Sequence, residues 1–367
     1  MKLTCNREKF SQAFQLASSM AAVREVKPVL MNVLLTVNSG EVILQATDSE
    51  AGIRLVVDGC DVIETGSAIL PTRKFKSILQ ELPDEEFTIE VKNDKSIVTG
   101  RRGKFNLDTQ DPSEFPEVES FKEKDYYTIP GKLFREMVKR TVFATDDGNV
   151  RYTLGGVHIE FTGKSVVAVA TDGRRMAFQE GVPSGTKGKP GDLTALFPPK
   201  TLSLVERSIT DDEQEIKVAI SSSRAIIEFG NAVISTRLIE GKFPQWRKIL
   251  PELDEEYRID IEVGTLLSAV RQAQITTSDA KPGVTCNLAD NLIELLSQGD
   301  DVGDSRIEVP ISYSGKPIRV KLDPKYLVDF LRAIEAEKEL AMYIIPDQPV
   351  YFHSDDSFTY VLMSMSG

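Results

Sequence analysis

Few side chains in this sequence have both the type and the spacing that catalytic or metal chemistry requires. The only histidines are His158 and His353, and each lacks a histidine or cysteine neighbour at the spacing of a metal site. The three cysteines, Cys5, Cys60 and Cys286, are odd in number and far apart, which favours reduced, mostly packed thiols over a disulfide framework. We therefore predict no catalytic residue, no metal and no cofactor.

Motifs for phosphate binding and for nucleophilic catalysis are also missing. The sequence has no Walker loop, no Gly-x-Gly-x-x-Gly after a predicted strand, no Gly-x-Ser-x-Gly and no Cys-x-x-Cys. Gly155-Gly156 and Arg101-Arg102-Gly103-Lys104 lie between predicted strands and are interpreted as turns or bulges, and Asp172-Gly173 as a turn. A small-molecule enzyme stays open as an alternative, which turnover by the purified protein would reveal.

The sequence does offer a set of cationic and apolar side chains in its second half. They lie in four segments: Arg151-Tyr152, Thr171–Met176, Phe243–Ile249 and Tyr360–Met365. Methionine side chains are flexible and polarisable, so they suit a groove that accepts several partners. The alternative interpretation is a plain apolar core at a domain junction.

These segments belong to a chain that repeats one pattern three times. A hairpin pattern recurs at Leu34–Val37 with Glu41–Thr47, Val157–Phe161 with Ser165–Thr171, and Val284–Leu288 with Leu292–Ser297, and a helix-entry pattern recurs at Leu70–Phe75, Phe197–Leu202 and Leu322–Leu327. Repeats of this length are whole domains, each able to bury its own core. We predict three domains, at residues 1–122, 123–251 and 252–367.

Within each third, the hydrophobic pattern predicts two helices among short alternating strands. Helices are expected at 7–20, 70–82, 131–141 and about 199–209, and in the last third around Leu266 and Leu327. Hairpins joined by short turns indicate antiparallel sheets with helices on one face. The predicted fold class is α+β, with three similar domains of two helices each, which could form half of a twelve-helix ring.

The charge distribution separates the helices from the rest of the chain. The net charge is −12, which by itself argues against a nucleic-acid partner. The helices at 7–20, 70–82 and 131–141, however, carry nine basic residues against three acidic ones, so the excess acid lies in loops and strands. Basic helix faces that are merely solvated remain the alternative. No apolar run reaches the length of a membrane span and the N-terminus does not resemble a signal peptide, so we expect a soluble, cytoplasmic protein.

The motifs together resemble those of one protein family. They are Ala-Thr-Asp-Gly-x-Arg at Ala170–Arg175, Arg151-Tyr152 ahead of it, Glu240–Pro244, and the hydrophobic-Met-x-Met sequence at the C-terminus. Over essentially all 367 positions, the sequence resembles the bacterial sliding clamps, the beta subunits of the DNA polymerase III holoenzyme.

The resemblance implies a DNA clamp fold and a head-to-tail homodimer that closes as a ring around duplex DNA. It implies a processivity factor, not an enzyme, that acts in DNA replication. The implied partners are double-stranded DNA without sequence preference, a second copy of the chain, the replicative polymerase catalytic subunit, the clamp loader, and other polymerases and repair factors with clamp-binding motifs, with no membrane involved. A peptide-binding scaffold without a DNA pore is the remaining alternative.

The resemblance also implies a pocket for a short peptide motif with Gln followed by Leu and Phe. Mapped by motif, its residues are Arg151, Thr171, Gly173, Arg174, Arg175, Met176, Pro244, Ile249, Val361, Met363 and Met365. Two positions depart from the pattern of many family members, which have His where Arg174 stands and Pro where Ser364 stands. A second cation and a looser C-terminal strand are expected to change the ranking of partners.

Two further surfaces follow from the resemblance together with the charge pattern. The DNA-facing residues are expected to be Arg24, Arg73, Lys132, Arg135, Lys139, Arg140, Asn149, Tyr152, Lys200 and Arg207. The family often has two neighbouring aromatic residues after Arg151, and here Thr153 replaces one of them. The dimer interface is expected to join Lys74, Ile78, Arg102, Lys104, Phe105 and Leu107 of one subunit to Ile275, Asp300, Asp301 and Asp304 of the other, with opposite charges setting the register.

Overall fold

The structure is a computed structural model that describes residues 1–93, 95–146, 148, 152–250, 253–300, 302–354 and 357–365. The first third contains β1 (Lys2–Asn6), α1 (Arg7–Ser18), β2 (Val33–Val37), β3 (Val42–Thr47), β4 (Ala51–Val56), β5 (Cys60–Glu64), β6 (Gly66–Leu70), α2 (Thr72–Glu81), β7 (Glu86–Lys92), β8 (Lys95–Thr99) and β9 (Lys104–Asp108). The second third contains β10 (Tyr126–Pro130), α3 (Gly131–Thr141), β11 (Val157–Phe161), β12 (Val166–Thr171), β13 (Arg175–Gly181), β14 (Gly185–Lys187), β15 (Leu193–Phe197), α4 (Pro199–Ser208), β16 (Glu215–Ile220), β17 (Arg224–Phe229) and β18 (Ala232–Arg237).

The last third contains β19 (Arg258–Glu262), α5 (Val263–Gln274), β20 (Val284–Ala289), β21 (Leu292–Gly299), β22 (Gly303–Pro310), β23 (Ile318–Leu322), α6 (Pro324–Leu331), β24 (Glu339–Tyr343), β25 (Val350–Ser354) and β26 (Phe358–Leu362). Each third thus begins with a strand and a helix, continues through a group of strands, and closes with a second helix and three strands. The prediction of an α+β fold repeated three times, with two helices in each repeat, is confirmed.

The strands form four antiparallel sheets in two compact units. Unit one comprises Met1–Lys132, Ser184–Pro190 and Lys200–Leu238, and unit two comprises Leu133–Pro183, Gly191–Pro199 and Ile239–Gly367. Unit one holds sheet one, in the order β5-β1-β7-β8-β9, and sheet two, in the order β14-β10-β16-β17-β18-β4-β3-β2-β6. Unit two holds sheet three, in the order β15-β11-β12-β13-β26-β25-β24-β19, and sheet four, in the order β22-β21-β20-β23.

Two strand pairs carry a sheet from one third of the chain into the next. In sheet two, β4 of the first third pairs with β18 of the second, and in sheet three, β13 of the second third pairs with β26 of the last. The second third therefore contributes strands to both units. The domain boundaries at 1–122, 123–251 and 252–367 stay a prediction.

The predicted hairpins form because their turn residues suit tight reversals. In the last third, Asp290 and Asn291 have φ angles of 50° and 64°, which is the left-handed pair that a two-residue hairpin turn requires. The hairpins β2–β3, β11–β12 and β20–β21 pair antiparallel, as the sequence predicts. The Arg101–Lys104 segment and the Asp172-Gly173 pair are turns between strands, also as expected.

The helices differ from their predicted bounds only at the ends. Helix α1 ends at Ser18 rather than at residue 20, and it begins after Asn6, whose Oδ1 accepts a hydrogen bond of 3.1 Å from the Lys9 N–H. Helix α2 begins at Thr72 rather than at residue 70 because Leu70 ends β6 and Pro71 caps the helix with an extended backbone. Between α1 and α2, the Phe14 and Phe75 rings pack with their centroids 4.8 Å apart.

Candidate functional site

Three of the residues predicted to line a groove lie on adjacent strands of unit two. Thr171 at the end of β12 faces Met176 of β13 in the strand register, and Met176 faces Val361 of β26. Met176 and Val361 are each only 2% exposed, and they share an apolar cluster with Leu154 and Tyr351. Residues from distant parts of the sequence are therefore brought together, and the buried ones form a floor.

Exposed members of the predicted set lie around that floor. Met363 is 47% exposed and Ile249 is 45% exposed, values that are high for large apolar side chains. Arg174 and Pro244 are also exposed. The Met363 N–H donates a 2.9 Å hydrogen bond to the Arg174 carbonyl, which holds the C-terminal segment against the turn between β12 and β13.

The same C-terminal segment has a second attachment. The Met365 N–H donates a 2.8 Å hydrogen bond to the carbonyl of Lys321 in β23, and the Met365 side chain is partly exposed. Ser364, between the two attached residues, is exposed. The segment after β26 thus follows a defined path along unit two even though a serine stands where proline was expected.

The turn at Thr171–Arg175 is fixed by its own polar groups. Thr171 Oγ1 donates to the Arg175 carbonyl at 2.6 Å and accepts from the Gly173 N–H at 3.0 Å. Asp172 Oδ1 accepts from the N–H groups of Arg174 and Arg175 at 2.8 and 3.0 Å. Gly173 has a φ of 88°, a left-handed conformation that glycine adopts readily. These four hydrogen bonds fix the backbone of the turn, on which Arg174 is exposed.

Arg175 supports this turn from inside, and its expected place in the groove stays a prediction. Its guanidinium is bonded to Asp172 Oδ2 at 3.0 Å, Asp329 Oδ2 at 2.9 Å and the Phe143 carbonyl at 2.6 Å. It also lies over the Tyr326 ring, 4.3 Å from the centroid. The residue is 8% exposed, and three of its five N–H donors are bonded within unit two.

The segment Phe243–Ile249, which is predicted to form a wall of the groove, is held by Glu160 of β11. Trp246 Nε1 donates to Glu160 Oε1 at 2.9 Å, and the Arg247 guanidinium binds both carboxylate oxygens, at 2.9 and 2.6 Å. The guanidinium also covers the Trp246 ring at 4.2 Å. Although burial opposes it, hydrogen bonds from Arg247 and Trp246 lower the pKa of Glu160 below its ordinary value.

His158, two residues before Glu160, packs on the same segment. Its ring stacks on Phe243 with centroids 4.8 Å apart, and its Nε2 lies 3.2 Å from Glu160 Oε1. Burial lowers the pKa of His158. Sequence reasoning missed Glu160, and it included Arg247 only as a member of the segment Phe243–Ile249. One sequence signal could have indicated Glu160. His158 and Glu160 are alternate residues of β11, so they lie on the same face of the strand, and both are polar.

Several predicted positions lie outside the described residues. These are Arg151 of the groove, Asn149 of the DNA-facing set and Asp301 of the dimer interface, and of Tyr152 only the backbone is described. Their assignments stay predictions.

Most of the cations expected to face DNA are at the surface. Arg24, Arg73, Lys132, Lys139, Lys200 and Arg207 are exposed, and Arg135 is partly exposed. Lys200 Nζ is engaged by Asp48 Oδ2 at 2.5 Å. Arg140 is only 4% exposed, since its Nη1 donates to Gln179 Oε1 at 2.8 Å and its guanidinium lies 5.2 Å from the centroid of the Phe358 ring. Arg140 therefore belongs to the interior of unit two, which corrects its expected role at the DNA surface.

The residues expected at the dimer interface lie at edges of two sheets. In unit one, Lys104 and Phe105 are exposed on β9, which is an end strand of sheet one. Arg102 is exposed in the turn just before β9, and Lys74 is exposed on α2. Ile78 and Leu107 are each 8% exposed within unit one. In unit two, Asp304 is exposed on β22, which ends sheet four, and Ile275 is 73% exposed after α5. Asp300 forms a 2.6 Å ion pair with Lys281.

The described part of the chain shows neither a metal cluster nor a membrane helix. Within it, histidine, cysteine, aspartate and glutamate side chains do not gather in groups of three or more that could hold an ion. None of its helices is long and apolar enough to cross a membrane.

Comparison with known proteins gives a consistent result along the whole chain. Models of the DNA polymerase III beta subunit match as the N-terminal domain over residues 1–120, the central domain over 128–245 and the C-terminal domain over 247–366. The beta sliding clamps of Pseudomonas aeruginosa and Escherichia coli K12 are 27% and 26% identical over 375 and 368 residues, covering 100% of each chain. A crystal structure of the Pseudomonas aeruginosa sliding clamp bound to griselimycin is 26% identical, with a TM-score of 0.92 and 100% of both chains covered.

Proposed function

Because this chain belongs to the family of DNA polymerase III beta subunits, we propose that it works as a sliding clamp through the surfaces described above. It is a processivity factor that encircles duplex DNA as a homodimeric ring and tethers the replicative polymerase and other DNA-processing proteins. The observation that carries this function is that three consecutive family domains account for nearly the whole chain. A topological link needs only weak, sequence-independent phosphate contacts, and so it permits sliding.

The groove of unit two is the proposed site for partner peptides. Its floor is Met176 and Val361, and its exposed rim is Arg174, Pro244, Ile249 and Met363. Met176 and Met363 supply flexible apolar contacts for leucine and phenylalanine side chains of a partner. Arg174 adds a cation at the rim, which favours partner segments that carry a carboxylate beside the apolar motif.

The dimer is proposed to close by joining two unlike sheet edges, β9 of one subunit and β22 of the other. Both are end strands whose outer backbone groups lack a neighbour in the described sheets. Lys104 on β9 and Asp304 on β22 carry opposite charges, which sets the register. Because the two patches differ, the contact is heterologous. Such a contact gives a closed dimeric ring when the rotation that relates the two subunits brings the second pair of edges together as well.

The DNA-facing surface is proposed to use the exposed helix cations, with Arg140 omitted. The exposed residues are Lys132 and Lys139 of α3, Lys200 and Arg207 of α4, and Arg73 of α2, and Lys200 also pairs with Asp48. Charges that are spread over several helices suit contacts with the DNA phosphates, which are independent of the base sequence. We also propose that the protein has no catalytic activity of its own and acts in the cytoplasm, where the chromosome is replicated.

Deletion of Met363 through Gly367 tests the groove. Binding of a Gln-Leu-x-Leu-Phe peptide should be lost, because burying a leucine or phenylalanine contributes about 1.5–3 kcal/mol and the intact affinity is expected in roughly the micromolar range. Binding can be followed through Trp246, the only tryptophan, which lies in the groove wall. The matched control removes only residues 366–367, and dimer mass should be unchanged in both. Undiminished peptide affinity in the longer deletion would remove the groove assignment.

A further inference from the structure

Two of the three cysteines lie opposite each other on neighbouring strands of sheet one. Cys5 of β1 is the register partner of Cys60 of β5, in an antiparallel pair that also matches Leu3 with Val62. Cys5 is 0% exposed, whereas Cys60 is partly exposed on a strand that ends the sheet. The sequence separation of the two residues gave no sign of this proximity.

The backbone hydrogen bonds show which kind of pair this is. The Asn6 N–H donates to the Gly59 carbonyl at 2.8 Å, one residue beyond the cysteines in each strand. Since hydrogen-bonded and non-hydrogen-bonded pairs alternate along an antiparallel ladder, Cys5 and Cys60 form a non-hydrogen-bonded pair. In such pairs the Cα atoms lie about 4.5 Å apart and the side chains approach most closely. That separation falls within the range of about 4.4–6.8 Å that disulfides adopt.

Both side chains also point to the same face of the sheet. Leu3 and Cys5 are the buried positions of β1, and Cys60 and Val62 are the less exposed positions of β5. A hydrogen bond between the two thiols lowers the pKa of Cys60 and raises that of Cys5, while burial and the carboxylates of Asp58 and Asp61 oppose ionisation of Cys60. The partly exposed Cys60 is therefore the thiol that is easier to ionise and to reach.

We propose that Cys5 and Cys60 form a redox-active dithiol that closes to an intramolecular disulfide by exchange with a low-molecular-weight disulfide. The Cys60 thiolate attacks one sulfur of that oxidant, forming a mixed disulfide and releasing one thiolate. The small thiolate released in the first step takes the proton of Cys5, and the Cys5 sulfur attacks the Cys60 sulfur, which releases the second small thiolate. In total, two protein thiols and one small disulfide give one protein disulfide and two small thiols.

The third cysteine provides an internal reference. Cys286 lies in β20 of sheet four, in the other unit, and burial raises its pKa to about 12. Its register partners on the neighbouring strands are Leu295 and Val320, so no second thiol lies opposite it, and it is buried from a dissolved oxidant. Cys286 should therefore stay reduced under the same conditions.

The proposal is tested by incubating the native full-length protein with glutathione disulfide and measuring intact mass and free thiols. The wild type should lose about 2 Da and two thiols, and a proteolytic digest should contain the peptides of Cys5 and Cys60 joined. The Cys60→Ser variant should remain unmodified because its remaining thiols are buried. The Cys5→Ala variant should stop at one glutathione adduct on Cys60.

Three results would overturn the proposal. They are a wild-type protein that stops at the mixed disulfide, a wild-type protein that takes no modification, and a disulfide that includes Cys286. Phenylarsine oxide gives a second readout that needs no oxidation, because a trivalent arsenical bridges two adjacent thiols. Phenylarsine oxide should protect two thiols from alkylation in the wild type and none in Cys60→Ser. Equal protection in the two proteins would also contradict the proposal.

Discussion

At the scale of single residues, Glu160 is the side chain on which the groove wall depends most. Its carboxylate accepts hydrogen bonds from both Trp246 and Arg247. We expect Glu160→Gln to weaken peptide binding by about tenfold, because charge-assisted hydrogen bonds contribute roughly 1.5–3 kcal/mol in holding such a segment. Fluorescence titration at Trp246 measures this, with Glu213→Gln, an exposed carboxylate of unit one, as the matched control.

The same carboxylate gives the groove a dependence on pH. The pKa of Glu160 is lowered from 4.5, so its stabilising contribution is present above that value and is lost as pH falls through the folded-state pKa. The difference in affinity between wild type and Glu160→Gln should therefore be constant near neutral pH and should shrink in acid. A difference that stays the same down to acid unfolding would show that the charge of Glu160 has no part in holding the wall.

Arg175 is predicted to matter for stability and not for peptide contact. Replacing it with methionine leaves Asp172 and Asp329 without their cation, and breaking a buried pair of this kind costs about 3 kcal/mol or more. Urea unfolding followed at Trp246 should shift to lower denaturant, while Arg174→Met should unfold like the wild type. If Arg175→Met kept its stability and lost peptide affinity, the interior role assigned to Arg175 would be wrong.

The burial of Arg140 and Arg175 also shows what residue types alone could not predict. Arg140 was a candidate for the DNA-facing surface because it lies in a basic helix, and Arg175 was a candidate for the groove because it lies in the motif Ala170–Arg175. Arg175 meets Asp329 across 154 positions of the chain and Arg140 meets Gln179 across 39. Such partners come from tertiary pairing, so only the folded chain shows that these charges are satisfied inside. Thr171, Met176 and Val361, which motifs of the sequence named together, do lie next to one another on adjacent strands, and their role in binding stays a prediction.

At the scale of elements, the hairpins and helices were predictable because their signals are local. Alternating strands with turn residues such as Asp290 and Asn291 predict β20–β21 without reference to the rest of the chain. The pairs β4–β18 and β13–β26 were not predictable in that way, since each joins strands from different thirds. The floor of the groove depends on the second of these pairs. Its composition could thus be proposed from sequence, but its geometry could not.

The sheet edges give the prediction that belongs to this scale. Changing Arg102 and Lys104 to Glu places like charges opposite Asp304 of the partner and should cost several kcal/mol at each of the two interfaces. Sedimentation at low micromolar concentration should then report a monomer. Lys164→Glu with Lys242→Glu, two exposed positions of unit two, makes the same change in net charge and should leave the dimer intact. A dimer in both variants would place the interface elsewhere.

At the scale of the whole molecule, the charge pattern reconciles an acidic chain with a DNA partner. The net charge of −12 would disfavour ordinary phosphate binding, in which affinity comes from the number of cations engaged. A closed ring does not need that affinity, because release requires the ring to open or the DNA to end. The exposed cations on α2, α3 and α4 then need only offset the repulsion between the duplex and the acidic chain.

The measurement that tests the ring most directly is retention on DNA of two topologies. The protein is loaded on a nicked circle, free protein is removed, and the bound fraction is followed in salt that strips ordinary phosphate binders. We expect retention for many minutes on the circle and immediate loss when a restriction enzyme cuts the same DNA. Loss from circular and linear DNA at the same, salt-dependent rate would contradict encirclement and would leave only electrostatic binding.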